Sequence, residues 1–273
     1  MRKNLYNKSS LATIGLTQGS IITNCVAEGC DGSKVWGVII TPRCDLAHAG
    51  KVKTLHYLPM LSAEDWLNNI GKIELEEEWM KAVKNKINNC MKQWGIESDF
   101  LSMGINYKDL LNICENKEQS KKKKEEFKKD CEAYFLKDGA LFKDFLRTSK
   151  NVRKFVKDMV GGNNKRYYLL EDWNDSDKLK VIILRDVRRI NIDIAKKFVH
   201  GFDYTEYSES VFLHNDLNYD SQEGCFDGLY YIDTQIQSPY IEHIIERFSY
   251  NFIRVGVEDM DSRCSDIFMN VIK

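Results

Sequence analysis

Three prolines stand in the chain, and each adjoins polar side chains that could do chemistry. Proline fixes φ and ends ladder pairing, so such sites mark rigid exits from regular structure and are good places to present side chains. The first, Thr41-Pro42-Arg43-Cys44-Asp45-Leu46-Ala47-His48, puts a guanidinium, a thiol, a carboxylate and an imidazole close together in sequence, with Lys51 following Gly50. Positive neighbours favour the thiolate, and Cys44 would then serve as a nucleophile or a metal ligand, with Asp45 orienting an imidazole. The plainer roles are a buried packing thiol for Cys44 and a turn-forming carboxylate for Asp45, capping the N–H groups that follow it.

The third proline segment, Ser238-Pro239-Tyr240-Ile241-Glu242-His243, opens a helical pattern with Ser238 at a cap position and Pro239 in the first helical place, and Gly256 ends it. Ile241, Ile244, Ile245, Phe248 and Phe252 form its apolar stripe. Opposite lie His243, Arg247 and Arg254, with Tyr250 nearby and Glu242 and Glu246 as a parallel acidic row. This face could clamp an anion or a partner's acidic loop; the bland alternative is the solvated side of a helix that closes the core. Together the two segments define a candidate binding surface of Arg43, Cys44, Asp45, Lys51, Glu242, His243, Arg247 and Arg254. In an enzyme the same surface would use Cys44, Asp45, His48 and His243. Both readings require the two ends of the chain to meet in space.

A zinc site would draw on Cys25, Cys30, Cys44 and His48, whose spacings suit paired ligands on neighbouring strands, but structural zinc favours CxxC knuckles and none occurs. No metal and no cofactor is therefore expected. His56 and His214 fall on strand patterns and read as core histidines. The chain holds no GxxxxGK[ST], GxGxxG, GxSxG or HExxH motif, which disfavours the usual forms of nucleotide hydrolysis, dinucleotide redox chemistry and zinc proteolysis.

The elements that must position these residues follow from hydrophobic period. Residues 17–60 read as strands: Ile21–Val26, the apolar run Val35–Ile40, which should be covered on both faces, and Thr54–Leu58 ending at Pro59. From Ser62, a possible cap, to about Val160 the period becomes helical, with Trp79, Val83, Ile87 and Met91 on one face. The lysine-rich run Lys117–Asp130 is interleaved with Glu118, Glu125, Glu126 and Asp130, the pattern of a solvated helix face. After Gly161-Gly162 strands return: Arg166–Leu170 and Lys180–Leu184 as a hairpin, then a short helix Ile192–Phe198, then Ser210–His214 and Leu229–Asp233. The expected fold is α+β, a small antiparallel SH3-like β-barrel or bent sheet built from residues 17–61 and 165–273, with a C-terminal helix packed on it and a helical insertion of ~100 residues at 62–160.

Composition bounds the rest. A chain of 273 residues with 43% hydrophobic and 30% charged side chains can bury a core. The 40 Lys+Arg against 41 Asp+Glu leave a net charge of −1, so no global field draws nucleic acid or anionic lipid, and any nucleic-acid binding must come from a local patch. No apolar run suits an export signal or a membrane span, so a cytoplasmic protein without a membrane partner is expected, and its eight cysteines read as free thiols, with Cys90, Cys114 and Cys131 packing between helices.

At the residues singled out above, the chain resembles a group of prokaryotic proteins whose N-terminal part reads QGxII…GVIIT-P-x-CDLA…K and whose C-terminal part reads SPxxEHxxxRFxxxFxRxGv. The corresponding residues are Gln18–Ile22, Val38–Ala47 with Lys51, and Ser238-Pro239, Glu242-His243, Arg247-Phe248, Phe252 and Arg254–Gly256. The opening Gln-Gly strand is also similar to the SH3-like barrel of PemK/MazF-type toxins, which cut RNA, although this chain is far longer and carries Cys44-Asp45 where those proteins have other residues. The resemblance implies a component of a bacterial conflict or phage-defence locus that works beside a protein partner. It leads to the expectation of a non-enzymatic adaptor, the alternative being a toxin-like endoribonuclease or a cysteine-dependent hydrolase using Cys44.

Overall fold

The structure, a computed structural model, describes residues 5–6, 15–48, 52–96, 99, 103–137, 139–175, 178–203 and 229–251. Strands β1 (Ser20–Ile22), β2 (Trp36–Ile39) and β3 (Thr54–Ser62) form an antiparallel meander, interrupted between β2 and β3 by the short helix α1 (Arg43–Ala47). Gly19 starts it. Its φ is +89°, and a Cβ there would lie 2.7 Å from the Ile236 carbonyl, while its own N–H and C=O bond to Ile39 and from Ile236. Only glycine fits so close an approach at positive φ.

Helices then fill the chain up to the next strand. They are α2 (Ala63–Trp66), a π-helical turn (Leu67–Gly71), α3 (Lys72–Gln93), α4 (Tyr107–Glu115), α5 (Lys121–Leu136), α6 (Gly139–Thr148) and α7 (Lys150–Val160). Ser62 caps the first, as its sequence position suggested, accepting from the Asp65 N–H at 3.0 Å. The predicted stripe on α3 is buried: Trp79, Val83, Ile87 and Met91 pack with Leu110 and Cys114 of α4, Phe127 and Cys131 of α5 and Phe142 of α6. Helix α7 turns inward at its end, where Met159 joins the core of the sheet.

The sheet is completed by β4 (Tyr167–Glu171), β5 (Leu179–Ile183), β6 (Arg188–Asn191) and β9 (Ile232–Gln235), with β7 (Phe202–Asp203) and β8 (Leu229–Tyr230) pairing apart. Its order is β4-β5-β3-β2-β1-β9, every neighbour antiparallel, and it curls into a half-barrel. The expected Arg166–Leu184 hairpin is β4–β5, with Tyr167 opposite Ile183. Leu229–Asp233, expected as one strand, is divided between β8 and β9, and the Ser210–His214 expectation lies outside the described residues.

Pro59 does not end β3, contrary to the sequence expectation; the strand runs on to Ser62. The ladder explains why. Ile40 N–H donates to His56 C=O, so the residue pairs of β2 and β3 that exchange hydrogen bonds are the even-numbered ones, and Pro59 directs its nitrogen to the opposite edge. There β5 pairs with Met60–Ser62 and β6 with Thr54–Tyr57, leaving Pro59 in the gap between them, where no N–H is needed.

Both faces of the sheet are covered, as the unbroken apolar run of β2 implied. One face buries Ile22, Ile39, Tyr57 and Leu61 against α8 (Ile192–Lys197) and Trp66. The other buries Ile21, Val38, Leu58 and Met60 under α9 (Tyr240–Ser249), whose Ile241 and Ile244 are fully enclosed, each contributing ~1.5–3 kcal/mol. Helix α9 starts one residue later than its sequence suggested: Pro239 occupies the cap, and no side chain caps it.

Candidate functional site

Past the end of β2, Thr41 is buried and its Oγ1 accepts from the His56 N–H at 2.8 Å, tying the exit of β2 to β3. Pro42 then holds φ at −56° and ψ at 144°, and α1 begins, with the Asp45 and Leu46 N–H groups closing on the Pro42 carbonyl. This short helix buries none of its residues. Cys44 is exposed, and its thiol donates to Asp45 Oδ1 at 3.6 Å. His48 is exposed at the helix end. Among the described residues no imidazole makes a hydrogen bond with Cys44. Lys51 lies outside the described residues.

The two ends of the chain do meet. Arg43 Nη2 lies 3.5 Å from Glu242 Oε1 of α9, so the exit of β2 and the closing helix share a rim, although both side chains are about half exposed and such a pair is worth only ~0–1 kcal/mol. The other α9 residues turn elsewhere. His243 Nδ1 is 2.9 Å from the Tyr168 hydroxyl of β4 and meets that ring edge-on. Arg247 donates to the Asn164 carbonyl at 3.0 Å and lies over Gly162, where a Cβ would be 2.7 Å from its guanidinium. Gly162 has φ of +76°, so the Gly161-Gly162 turn both ends α7 and leaves room for Arg247. Glu246 accepts from Tyr250. His243 and Arg247 therefore fasten α9 to β4 and to the turn before it, and Arg254 lies outside the described residues.

The residues of the zinc reading do not gather. Cys25 and Cys30 are buried, with thiols donating to backbone carbonyls, whereas Cys44 is exposed, and among the described residues no group of three metal-ligating side chains is formed. Burial pushes the Cys25 thiol far up and the Cys30 thiol up to about 11, with Asp186, Asp31 and Asp65 adding to the latter, so both stay protonated and inert.

The helices carry a feature that sequence reasoning did not single out: an open groove of about 680 Å³ between α3, α5 and α6. Trp79, Val83, Phe127, Leu141 and Phe145 line it with apolar surface, and Lys86 and Asp130 face one another on its rim at 3.6 Å. Burial raises the Asp130 carboxyl above its ordinary value even though Lys86 opposes the shift. Cys90 also lines the groove, its thiol raised by burial. Its walls bring α3 against the later pair α5 and α6, so no local motif announced it.

A second polar cluster joins the helices to the sheet. Glu74 Oε1 accepts from Arg166 at 2.7 Å and from the Tyr167 hydroxyl at 2.5 Å, and burial together with Glu74 pushes that phenol up. Trp66, beside the π-helical turn, stacks on Phe155 of α7 and meets Tyr167 edge-on. Its ring covers Gly71, where any Cβ would collide with it at 2.6 Å.

Among the described residues no helix is long and apolar enough to cross a membrane. Comparison of the chain with protein-family models, with curated proteins and with solved structures returns no match.

Proposed function

We propose that this protein is a non-enzymatic binding component that recognises a protein partner through the groove between α3, α5 and α6. In this reading residues 62–160 are a helical insertion in an SH3-like barrel, and the Arg43–Glu242 rim is a second contact. The groove carries the argument: its volume and its mixed lining, with Leu141 and Phe145 beside Lys86, Lys123, Glu126 and Asp130, suit an amphipathic helix of a partner. Two observations weigh against chemistry at the proline corner. The Cys44 thiol meets the Asp45 carboxylate in place of an imidazole, and His243 is held by Tyr168. The resemblance of the chain ends to proteins of bacterial defence loci supports an intracellular adaptor role within such a system.

The test compares partners retained from a lysate of the source cells by the wild type and by a Leu141→Asp/Phe145→Asp variant with unchanged helicity. A partner held by the first and released by the second supports the reading; identical partner sets overturn it. The exposed Cys44 favours one alternative, a toxin-like ribonuclease or a cysteine hydrolase. Degradation of bulk RNA by the wild type and not by Cys44→Ala would establish that alternative and remove the adaptor.

A further inference from the structure

The overall charge of −1 hides a local concentration of cations on α7. Lys150, Arg153, Lys154 and Lys157 repeat at three- and four-residue spacing, so they share the face opposite Met159, and all four are exposed. They line an open cleft of about 350 Å³ whose remaining wall is Asp158.

None of the four makes an ion pair or side-chain hydrogen bond among the described residues. Some lysines elsewhere in residues 62–160 are engaged, although Lys121, Lys122, Lys123 and Lys129 of α5 make no ion pair or side-chain hydrogen bond among the described residues either. Lys84 pairs with Asp99, Lys86 with Asp130 and Lys128 with Glu115, while Lys117 and Lys124 donate to backbone carbonyls. The lysine-rich run of α5, the more conspicuous one in sequence, is thus partly tied into the fold, whereas the α7 row is not. Like charges three and four residues apart on a helix destabilise it, and the row contains four such pairs: 150 with 153 and 154, and 157 with 153 and 154. Asp158, one turn after Lys154, offsets only part of this repulsion, and a bound polyanion would relieve the rest.

We infer that α7 binds the phosphodiester backbone of a nucleic-acid duplex without regard to sequence. The cleft is lined by charged side chains alone, so an acidic protein loop would find no apolar pocket to anchor it, whereas a phosphate backbone requires only charge. A bilayer is a poorer fit, since only Val156 and Val160 offer exposed apolar surface on α7. The cleft has no aromatic platform for unstacked bases, which favours a duplex over a single strand. Lys150 to Lys157 span about 10 Å of helix, long enough to meet several phosphates, and each of the four cations contributes as a point of positive charge. The cleft shares no lining residue with the groove between α3, α5 and α6, so the inference stands apart from the partner-binding reading.

The experiment is fluorescence anisotropy of labelled mixed-sequence DNA and RNA duplexes, roughly two helical turns long, titrated with the full chain. With four phosphates neutralised, wild-type affinity for DNA should fall ~150-fold between about 50 and about 200 mM salt. The variant Arg153→Gln/Lys154→Gln/Lys157→Gln should bind far more weakly at low salt and retain only a ~3- to 4-fold salt effect. Two controls accompany it: Lys121→Gln/Lys122→Gln/Lys129→Gln on α5 and Arg153→Lys, both of which should bind as the wild type does. Because the Gln variant removes repulsion, it should melt no lower than the wild type, which separates lost binding from lost folding. Preference between the two duplexes identifies the nucleic acid. The inference is overturned if neither duplex binds at low salt or if the α7 variant binds equally well. It is also overturned if phosphatidylserine vesicles or polyglutamate displace the duplex at equal charge.

Discussion

Cysteine by cysteine, burial sets reactivity. Cys44 is exposed on α1, whereas Cys25, Cys30, Cys114 and Cys131 are buried, and burial raises the Cys131 thiol to about 12, helped by Asp130. Iodoacetamide at neutral pH is expected to alkylate Cys44 well ahead of those four, which should react only on unfolding; residue-resolved mass spectrometry reads this directly. Equal rates for Cys44 and Cys131 would contradict the fold at both places. The sequence placed Cys114 and Cys131 correctly between helices because their spacing followed the apolar stripe. It left Cys44 open, since a helix too short to have a buried face has no period to read.

At the level of elements, β5 carries an ion pair inside the sheet's core. Lys180, only 6% exposed at its side chain, lies 3.0 Å from Asp172 and 3.5 Å above the Trp36 ring, with Trp173 at 5.2 Å. Removing either charge leaves the other buried alone, so Asp172→Asn and Lys180→Met should each lower stability by ~3–5 kcal/mol, and the double variant by clearly less than their sum. Urea denaturation of the four proteins measures it; strict additivity would mean that the two charges do not interact. On α5, burial holds the Asp130 carboxyl above its ordinary value in the folded chain. The folded state therefore binds that proton more tightly than the unfolded one, and this group's contribution to stability falls as pH rises from the ordinary carboxylate range through the folded value. Asp130→Asn should remove that decline, gaining on the wild type as pH rises in denaturation series; parallel profiles for the two proteins would refute it.

For the molecule as a whole, Trp66 is the joint between helices and sheet. It is 6% exposed, stacked on Phe155 with ring centroids 6.3 Å apart and edge-on to Tyr167 at 5.1 Å. Trp66→Ala should lower stability by ~3–5 kcal/mol, and in hydrogen exchange it should weaken protection in α7 and β4 together. Loss of protection in α7 alone would mean that the helices fold independently of the sheet. The groove and the α7 cleft lie on the helical side of this joint, and the Arg43–Glu242 rim lies across the sheet.

Legible along the chain were the strands β1 to β3, the helical stretch after Ser62, the buried stripe of α3, the hairpin β4–β5 and the α9 face that meets the core, whereas α1, β6 and β7 gave no signal. Each legible feature follows from a short-range period of apolar residues, which the local backbone obeys. Tertiary structure alone decided which polar groups were committed. His243 and Arg247 look like an anion clamp along their own helix, yet they reach Tyr168 and Asn164, which are many residues away. Pro59 looks like a strand end, yet the gap between β5 and β6 accepts it. The α7 cations were as legible as the α5 lysines, but only the packed fold shows that Lys124 and Lys128 of α5 reach Glu115 while the α7 row has no partner among the described residues. A side chain's neighbours across the fold depend on contacts distant in sequence, and no local spacing encodes them.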